Sequence, residues 1–260
     1  MGSFISWFER SYRGIIIALV AIMAVALIAL ALQHVNASKP AAGATPRPIP
    51  TFGGNADGAA PERVPVAAGT RALIFGDSWT SGFFADEPAE NGYASLTAKA
   101  MQWDASVQGG PGTGYTNAGQ DGEGPYADRI SKLPSNIDPQ LIVLQGSVND
   151  LGAEPGDLRV AAVKTVNSVK LKYPDASVVL VGPAATEVPV SAGLRSIDGT
   201  LRSVARAQDL NYISPLSEDW FNASNMNAVI DSARAKHPTT AGHALLAKKL
   251  VADLRALAKQ

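Results

Sequence analysis

Cysteine is absent from the 260 residues, and histidine occurs only three times. Without Cys there are no disulfides, no thiolate zinc sites and no Cys nucleophile. An excess of charge of either sign is missing too. Lys and Arg total 22 against 23 Asp and Glu, for a net charge of −1, which leaves no electrostatic footprint for a nucleic-acid partner. No internal repeat is found. The glycine-rich stretches match neither the G-x-x-x-x-G-K-[ST] phosphate loop nor the dinucleotide spacing, so nucleotide readings fail.

What is present is unevenly spread. Residues 14–32 (GIIIALVAIMAVALIALAL) carry no charge over nineteen positions, a helical length close to the ~30 Å hydrocarbon core of a bilayer. Arg10 and Arg13 precede it and the next cation is Lys39. The positive-inside rule therefore keeps residues 1–13 cytoplasmic and sends the remainder outward, as a single-pass signal anchor. A cleaved signal peptide, with Val35-Asn36-Ala37 as the small-x-small site, is the alternative; both put the rest of the chain outside the cytoplasm. Residues 33–69, with Pro40, Pro46, Pro48, Pro50, Pro61 and Pro65 among Ala, Gly and Thr, read as an extended linker.

From Thr70 to residue 260 the pattern becomes one of alternating strands and helices. Short apolar runs at Arg71–Phe75, Ala105–Gln108, Leu141–Gln145, Val178–Gly182 and Asn211–Ser214 suit strands buried on both faces, as in a parallel sheet. Helical patterns lie between and after them, at Tyr93–Gln102, Tyr126–Leu133, Leu158–Lys172, Leu194–Gln208 and Thr239–Ala258. Such alternation predicts a doubly wound α/β domain with right-handed crossovers, and ligands at the carboxyl ends of its strands.

Read in order, those strand ends carry chemistry. The first runs into Gly76-Asp77-Ser78-Trp79, a tight turn able to present a Ser hydroxyl to a cleft. The second enters Gly109-Gly110-Pro111-Gly112-Thr113-Gly114-Tyr115, whose glycines allow close backbone approach and can aim N–H groups at an anion. The third enters Gly146-Ser147-Val148-Asn149-Asp150, where the Asn149 amide is a neutral donor suited to an oxyanion and Asp150 can hold the loop by hydrogen bonds. Near the end stands His237-Pro238-Thr239-Thr240-Ala241-Gly242-His243. His237, preceding a proline, is extended or in a turn and free of helical hydrogen bonding; His243 falls inside the last helix. His237 is therefore the expected general base. Two His without a carboxylate cluster make a poor zinc site, and no metal is expected. Trp79, Phe83, Phe84, Tyr93 and Tyr115 lie near these blocks, divided between core packing and the lining of an acyl or sugar pocket.

These four blocks, in this order, resemble the SGNH (GDSL-type) hydrolase family over about residues 71–250. The resemblance implies a three-layer, flavodoxin-like parallel sheet and Ser–His ester hydrolysis without a cofactor. It also implies Ser78 as nucleophile, His237 as base, and an oxyanion hole made by the amides of Ser78 and Gly112 (or, as the lesser alternative, Gly114) with the Asn149 side chain. The chain departs from the pattern twice. Ser147 stands where the third block usually has Gly. Arg234 stands three residues before His237, where an Asp is usual. Asp231, carried closer by a longer loop, is taken as the third member, with a backbone carbonyl near Arg234 as the alternative. Three function classes follow: an extracytoplasmic esterase or deacetylase acting on an ester-bearing small molecule, glycan or glycolipid; an O-acyltransferase to an envelope glycan; and a non-catalytic module that binds wall polymer. Oligomeric state is not legible.

Overall fold

The computed structural model describes residues 63–120 and 122–259. The apolar stretch 14–32 and most of the 33–69 segment lie outside the described residues; among those described, no helix is long and apolar enough to cross a membrane.

Five parallel strands form the central sheet: β1 (Arg71–Gly76), β2 (Asp104–Gly109), β3 (Leu141–Gln145), β4 (Ser177–Val181) and β5 (Asn211–Ile213), in the order β2-β1-β3-β4-β5. This is the flavodoxin-like winding, in which the chain runs outward from β1 to β2 and then returns across β1 to β3. The helices are α1 (Pro88–Asn91), α2 (Tyr93–Met101), α3 (Tyr126–Lys132), α4 (Pro155–Lys172), α5 (Ala192–Ala207), α6 (Met226–Val229) and α7 (Thr240–Leu257). A two-stranded antiparallel pair, β6 (Ile230–Asp231) and β7 (His237–Pro238), stands apart from the sheet.

Strand side chains alternate between two cores, because successive Cβ atoms leave opposite faces. Ala72, Ile74, Leu141, Val143, Val179 and Val181 pack with Met101, Leu246 and Leu250 beneath α2 and α7. Leu73, Phe75, Ile142, Leu144, Val178 and Leu180 pack with Ile130, Val166 and Leu201 beneath α3, α4 and α5. β3 is buried at every position, as its uninterrupted apolar run requires. The three-layer α/β/α fold expected from the alternation is thus the one observed. Val64 is also buried in the first core and Val66 packs against it, so the packed unit begins inside the stretch read as linker.

Helix starts are set locally. Ser191 accepts from the Leu194 amide at 3.2 Å at the head of α5, and Thr239 accepts from Gly242 at 3.0 Å at the head of α7; each satisfies one of the first-turn donors. Gly242 has no room for a side chain, since a Cβ there would lie 2.1 Å from the Val229 carbonyl. The start of α7 therefore abuts α6, which fixes the β6–β7 pair carrying His237 at the edge of the strand ends.

Candidate active site

β1, β2 and β3 all deliver their carboxyl ends to one edge, at the point where the winding reverses. There the chain beyond β1 makes a compact turn. The Ser81 amide donates to the Asp77 carbonyl (3.2 Å) and the Phe83 amide to the Ser78 carbonyl (3.0 Å), while Asp77 Oδ1 accepts from the Trp79 amide (2.9 Å). Gly76 is obligatory, because a Cβ would lie 2.2 Å from Thr80 Oγ1 and 2.5 Å from Gln145 Oε1. Ser78 is held nearly buried at the tip.

Ser78 Oγ lies 2.8 Å from His237 Nε2, although 159 residues separate them. The other ring nitrogen, Nδ1, is 3.0 Å from the Arg234 carbonyl. A carbonyl only accepts, so Nδ1 carries the proton and Nε2 is the bare lone pair; Ser78 Oγ must then be the donor. This is the protonation pattern that proton abstraction from the hydroxyl requires.

The imidazole is oriented by backbone, which corrects the assignment of Asp231. Asp231 is paired with His237 through the β6–β7 register, but its carboxylate points elsewhere: Oδ1 accepts from the Ala233 amide at 2.9 Å and Oδ2 meets Arg234 Nε at 3.5 Å. The physical reason is the turn. Ala235 and Lys236 take left-handed conformations (φ 51° and 56°), which brings the Arg234 carbonyl back over both the His237 amide (3.1 Å) and its ring. The position three before the His is thus used after all, through its main chain. Phe83 and Phe84 flank the ring at 5.3 and 5.2 Å between centroids. Phe84 itself sits at φ 69°, an uncommon conformation for a bulky side chain. Of the aromatics noted in the sequence, Trp79, Tyr93 and Tyr115 are buried core residues, and only Phe83 and Phe84 border the site.

The glycine loop closes against this turn. A Cβ on Gly109 would lie 2.2 Å from the Ser81 amide nitrogen, and the Gly110 amide donates to the Gly76 carbonyl at 3.0 Å. Gly112 adopts φ 73°. Among the described residues no hydrogen bond occupies the amides of Ser78 or Gly112, whereas the Gly114 amide donates to the Asn117 carbonyl at 2.9 Å. Of the two glycines weighed, Gly112 is the one with an available donor. Asn149 Nδ2 donates to the Thr113 carbonyl at 2.9 Å, leaving one of its two amide protons for another acceptor. Ser147, where glycine is usual, is extended (φ −134°) and accepts from the Asn149 amide, so no glycine is needed there. Asp150 is buried and accepts from the Tyr115 amide (2.9 Å), the Thr116 amide (2.8 Å) and Thr116 Oγ1 (2.7 Å), binding the loop to the end of β3.

Two further ionisable groups shape the electrostatics. Burial pushes Asp77 up to about 7, with the Asp150 charge adding and the hydrogen bond from the Trp79 amide opposing. His243 is fully buried on α7; its Nδ1 accepts from the Tyr93 amide (3.3 Å) and its Nε2 faces the Phe83 carbonyl (3.2 Å). Burial lowers its pKa, so it stays a neutral strut under the Phe83–Phe84 segment rather than a base. Among the described residues no group of three or more His, Asp or Glu side chains is gathered for a metal. Sequence reasoning passed over Arg129, buried beneath the strand ends. The available signal was its position between Tyr126 and Ile130 on the apolar stripe of α3.

A hydroxyl hydrogen-bonded to a correctly protonated imidazole, beside backbone and side-chain donors, is equipped for acyl transfer. Residues 74–245 match the GDSL-like lipase/acylhydrolase family. The GDSL lipase Rv0518 of Mycobacterium tuberculosis is 27% identical over 190 residues, covering 68% of this chain and 78% of that protein. Among solved structures, a family two carbohydrate esterase from Cellvibrio japonicus superposes with a TM-score of 0.57 at 22% identity, over 75% of this chain and 63% of that one. The salicylyl-acyltransferase SsfX3 of a tetracycline biosynthetic pathway gives 0.54 at 19% identity, over 74% and 57%. With its own strand-end blocks falling inside the matched span, the chain belongs to the GDSL-like lipase/acylhydrolase family.

Proposed function

We propose that this protein is a serine ester hydrolase working through an acyl-enzyme on Ser78. The observation that carries the reading is the 2.8 Å contact of Ser78 Oγ with His237 Nε2, in the tautomer that the Arg234 carbonyl imposes on Nδ1. In the first half-reaction Nε2 takes the Ser78 proton as Oγ bonds to the ester carbonyl carbon. The oxyanion so formed is met by the Ser78 and Gly112 amides and the free amide proton of Asn149. Collapse breaks the carbonyl–alkoxy bond, and His237 returns the proton to the departing alcohol. A water molecule, deprotonated by the same nitrogen, then releases the acid and restores Ser78. With a carbonyl in place of a carboxylate at Nδ1, the imidazolium is oriented but receives no full counter-charge.

The substrate class we infer is an acyl ester of a glycan or small alcohol. Its support is the chemistry of the loops at the strand ends. Phe83, Leu151 and Val188, three of the exposed large apolar residues, stand on the loops after β1, β3 and β4, and a sugar ring or acyl chain can lie against such a surface. The carbohydrate esterase likeness points the same way, and the acyltransferase likeness supports a second reading in which a sugar hydroxyl replaces water. We also propose that residues 14–32, uncharged and preceded by Arg10 and Arg13, anchor the domain on the outer side of a membrane. Turnover of p-nitrophenyl acetate and acetylated sugars by the wild type and by Ser78→Ala tests the main reading: activity falls by about 10⁴-fold or more in a folded variant. Retained activity removes Ser78 from the chemistry. A glycan acceptor that diverts the acyl group from water to a sugar selects the transferase.

A further inference from the structure

One buried cation joins the strand ends on which the proposed chemistry stands. Arg129, on α3, is 9% exposed. Its Nη1 donates to the Gly76 carbonyl (2.7 Å) and to Thr113 Oγ1 (2.9 Å), and its Nη2 to the Gln108 carbonyl (3.1 Å). Its Nε pairs with Glu123 at 3.1 Å, and the guanidinium lies over the Phe75 ring at 4.4 Å. A Cβ on Gly110 would fall 2.4 Å from Arg129 Cζ. Gly110 of the glycine loop is therefore open to admit an internal guanidinium, rather than to receive a phosphate.

The acceptors explain what this arrangement does. Gly76 is two residues before Ser78 at the end of β1, and Gln108 is at the end of β2. Thr113 follows Gly112, and its carbonyl receives Asn149 Nδ2 at 2.9 Å and Ser147 Oγ at 3.3 Å. One planar fork thus fixes β1 to β2 directly and reaches the end of β3 through Thr113. Those three ends bear Ser78, Gly112 and Asn149, the three donors proposed for the oxyanion. A point charge such as an ammonium does not reproduce this geometry, since several rigidly spaced donors are needed at once.

We propose that Arg129 is a positioning residue that sets the spacing of the oxyanion donors about Ser78 Oγ, acting through Gly76, Gln108 and Thr113 without touching substrate. The inference rests on the ester-hydrolase reading above. The test is Arg129→Lys, which keeps the charge and loses the fork, with Thr113→Val as a milder second variant. Each is assayed with p-nitrophenyl acetate, kcat being expressed per site titrated by a fluorophosphonate so that a less stable variant remains readable. For Arg129→Lys we expect kcat to fall about 10- to 100-fold with KM within about twofold, and the affinity for phenylboronic acid, which forms a tetrahedral adduct on the serine, to fall by a similar factor. Thr113→Val should lower kcat about three- to tenfold in the same pattern. A kcat within twofold of wild type in either titrated variant, or a kcat loss without weaker boronate binding, overturns the proposal. If the wild type itself neither turns over esters nor labels with the fluorophosphonate, the hydrolase reading falls and takes this one with it; an active wild type with indifferent variants removes only the role of Arg129.

Discussion

On the donor side of the site, Asp150 and Arg129 reach from buried positions to hold the ends of β1, β2 and β3. The imidazole side is built differently. His237 hangs on a hairpin outside the sheet, whose turn contains two left-handed non-glycine residues and whose ion pairs, Arg234 with Asp231 and Lys236 with Glu187, are substantially solvent-exposed. Exposed pairs of this kind contribute roughly 0–1 kcal/mol, whereas a buried charge or hydrogen-bond network loses several kcal/mol when one partner is removed. The contrast matches the task of each half. Donors for an oxyanion must be preorganised, because any reorganisation at the moment of reaction subtracts from their effect. A base needs only its tautomer and its distance, and one carbonyl supplies both.

That comparison can be pressed at graded depth. The largest effect belongs to the base itself: His237→Ala should lower kcat for p-nitrophenyl acetate about 10⁴-fold or more, with circular dichroism unchanged. Asn149→Ala, on the donor side, should cost about 10²- to 10³-fold in kcat with little change in KM, equivalent to about 3 kcal/mol of transition-state stabilisation. Asp231→Asn should cost less than about tenfold, far below the ~10⁴-fold expected of a carboxylate that holds a catalytic imidazole; steady-state kinetics on the folded variant decides it.

The smallest effect is on stability rather than rate. Asp77, in the donor half, titrates near 7 in the folded state because burial disfavours its charge, against an ordinary 3.8 when unfolded. The folded state therefore holds a proton that the unfolded state has released between those values, and stability falls as pH rises from about 4 through 7. Asp77→Asn keeps the acceptor for the Trp79 amide and removes the titration. Relative to wild type it should gain several degrees in Tm at pH 9 compared with pH 4, read by thermal melts across that range. A parallel shift at both pH values would show that the Asp77 proton is not part of the balance.

Much of this is legible in the sequence alone. The continuous apolar runs mark β1, β3 and β4 because both faces of these inner strands are covered, whereas the edge strands β2 and β5 are only partly buried; the stripe Leu194, Ile197, Leu201 and Val204 marks α5 by its period. The strand-end blocks and His237 were legible for a related reason: tight turns at a parallel sheet's edge need Gly and small polar residues in short, ordered strings. What escaped depends on three-dimensional direction. Whether the chain near His237 offers a side chain or a carbonyl depends on the φ values of Ala235 and Lys236, for which neither residue type carries a signal. Gly110 reads as an open loop position until the Arg129 guanidinium is seen to fill the space beside it. Val64, buried in the first core, and Val66, packed against it, lie in a proline-rich context that conceals them.

The central claim is that Ser78 becomes the acylated atom because His237 takes its proton. The most direct measurement is peptide mass mapping of the protein after reaction with a fluorophosphonate, for the wild type and for His237→Ala. The account predicts one adduct, on Ser78, formed far more slowly in the His237 variant. An adduct on another residue, or equal labelling of Ser78 with and without the imidazole, would contradict it.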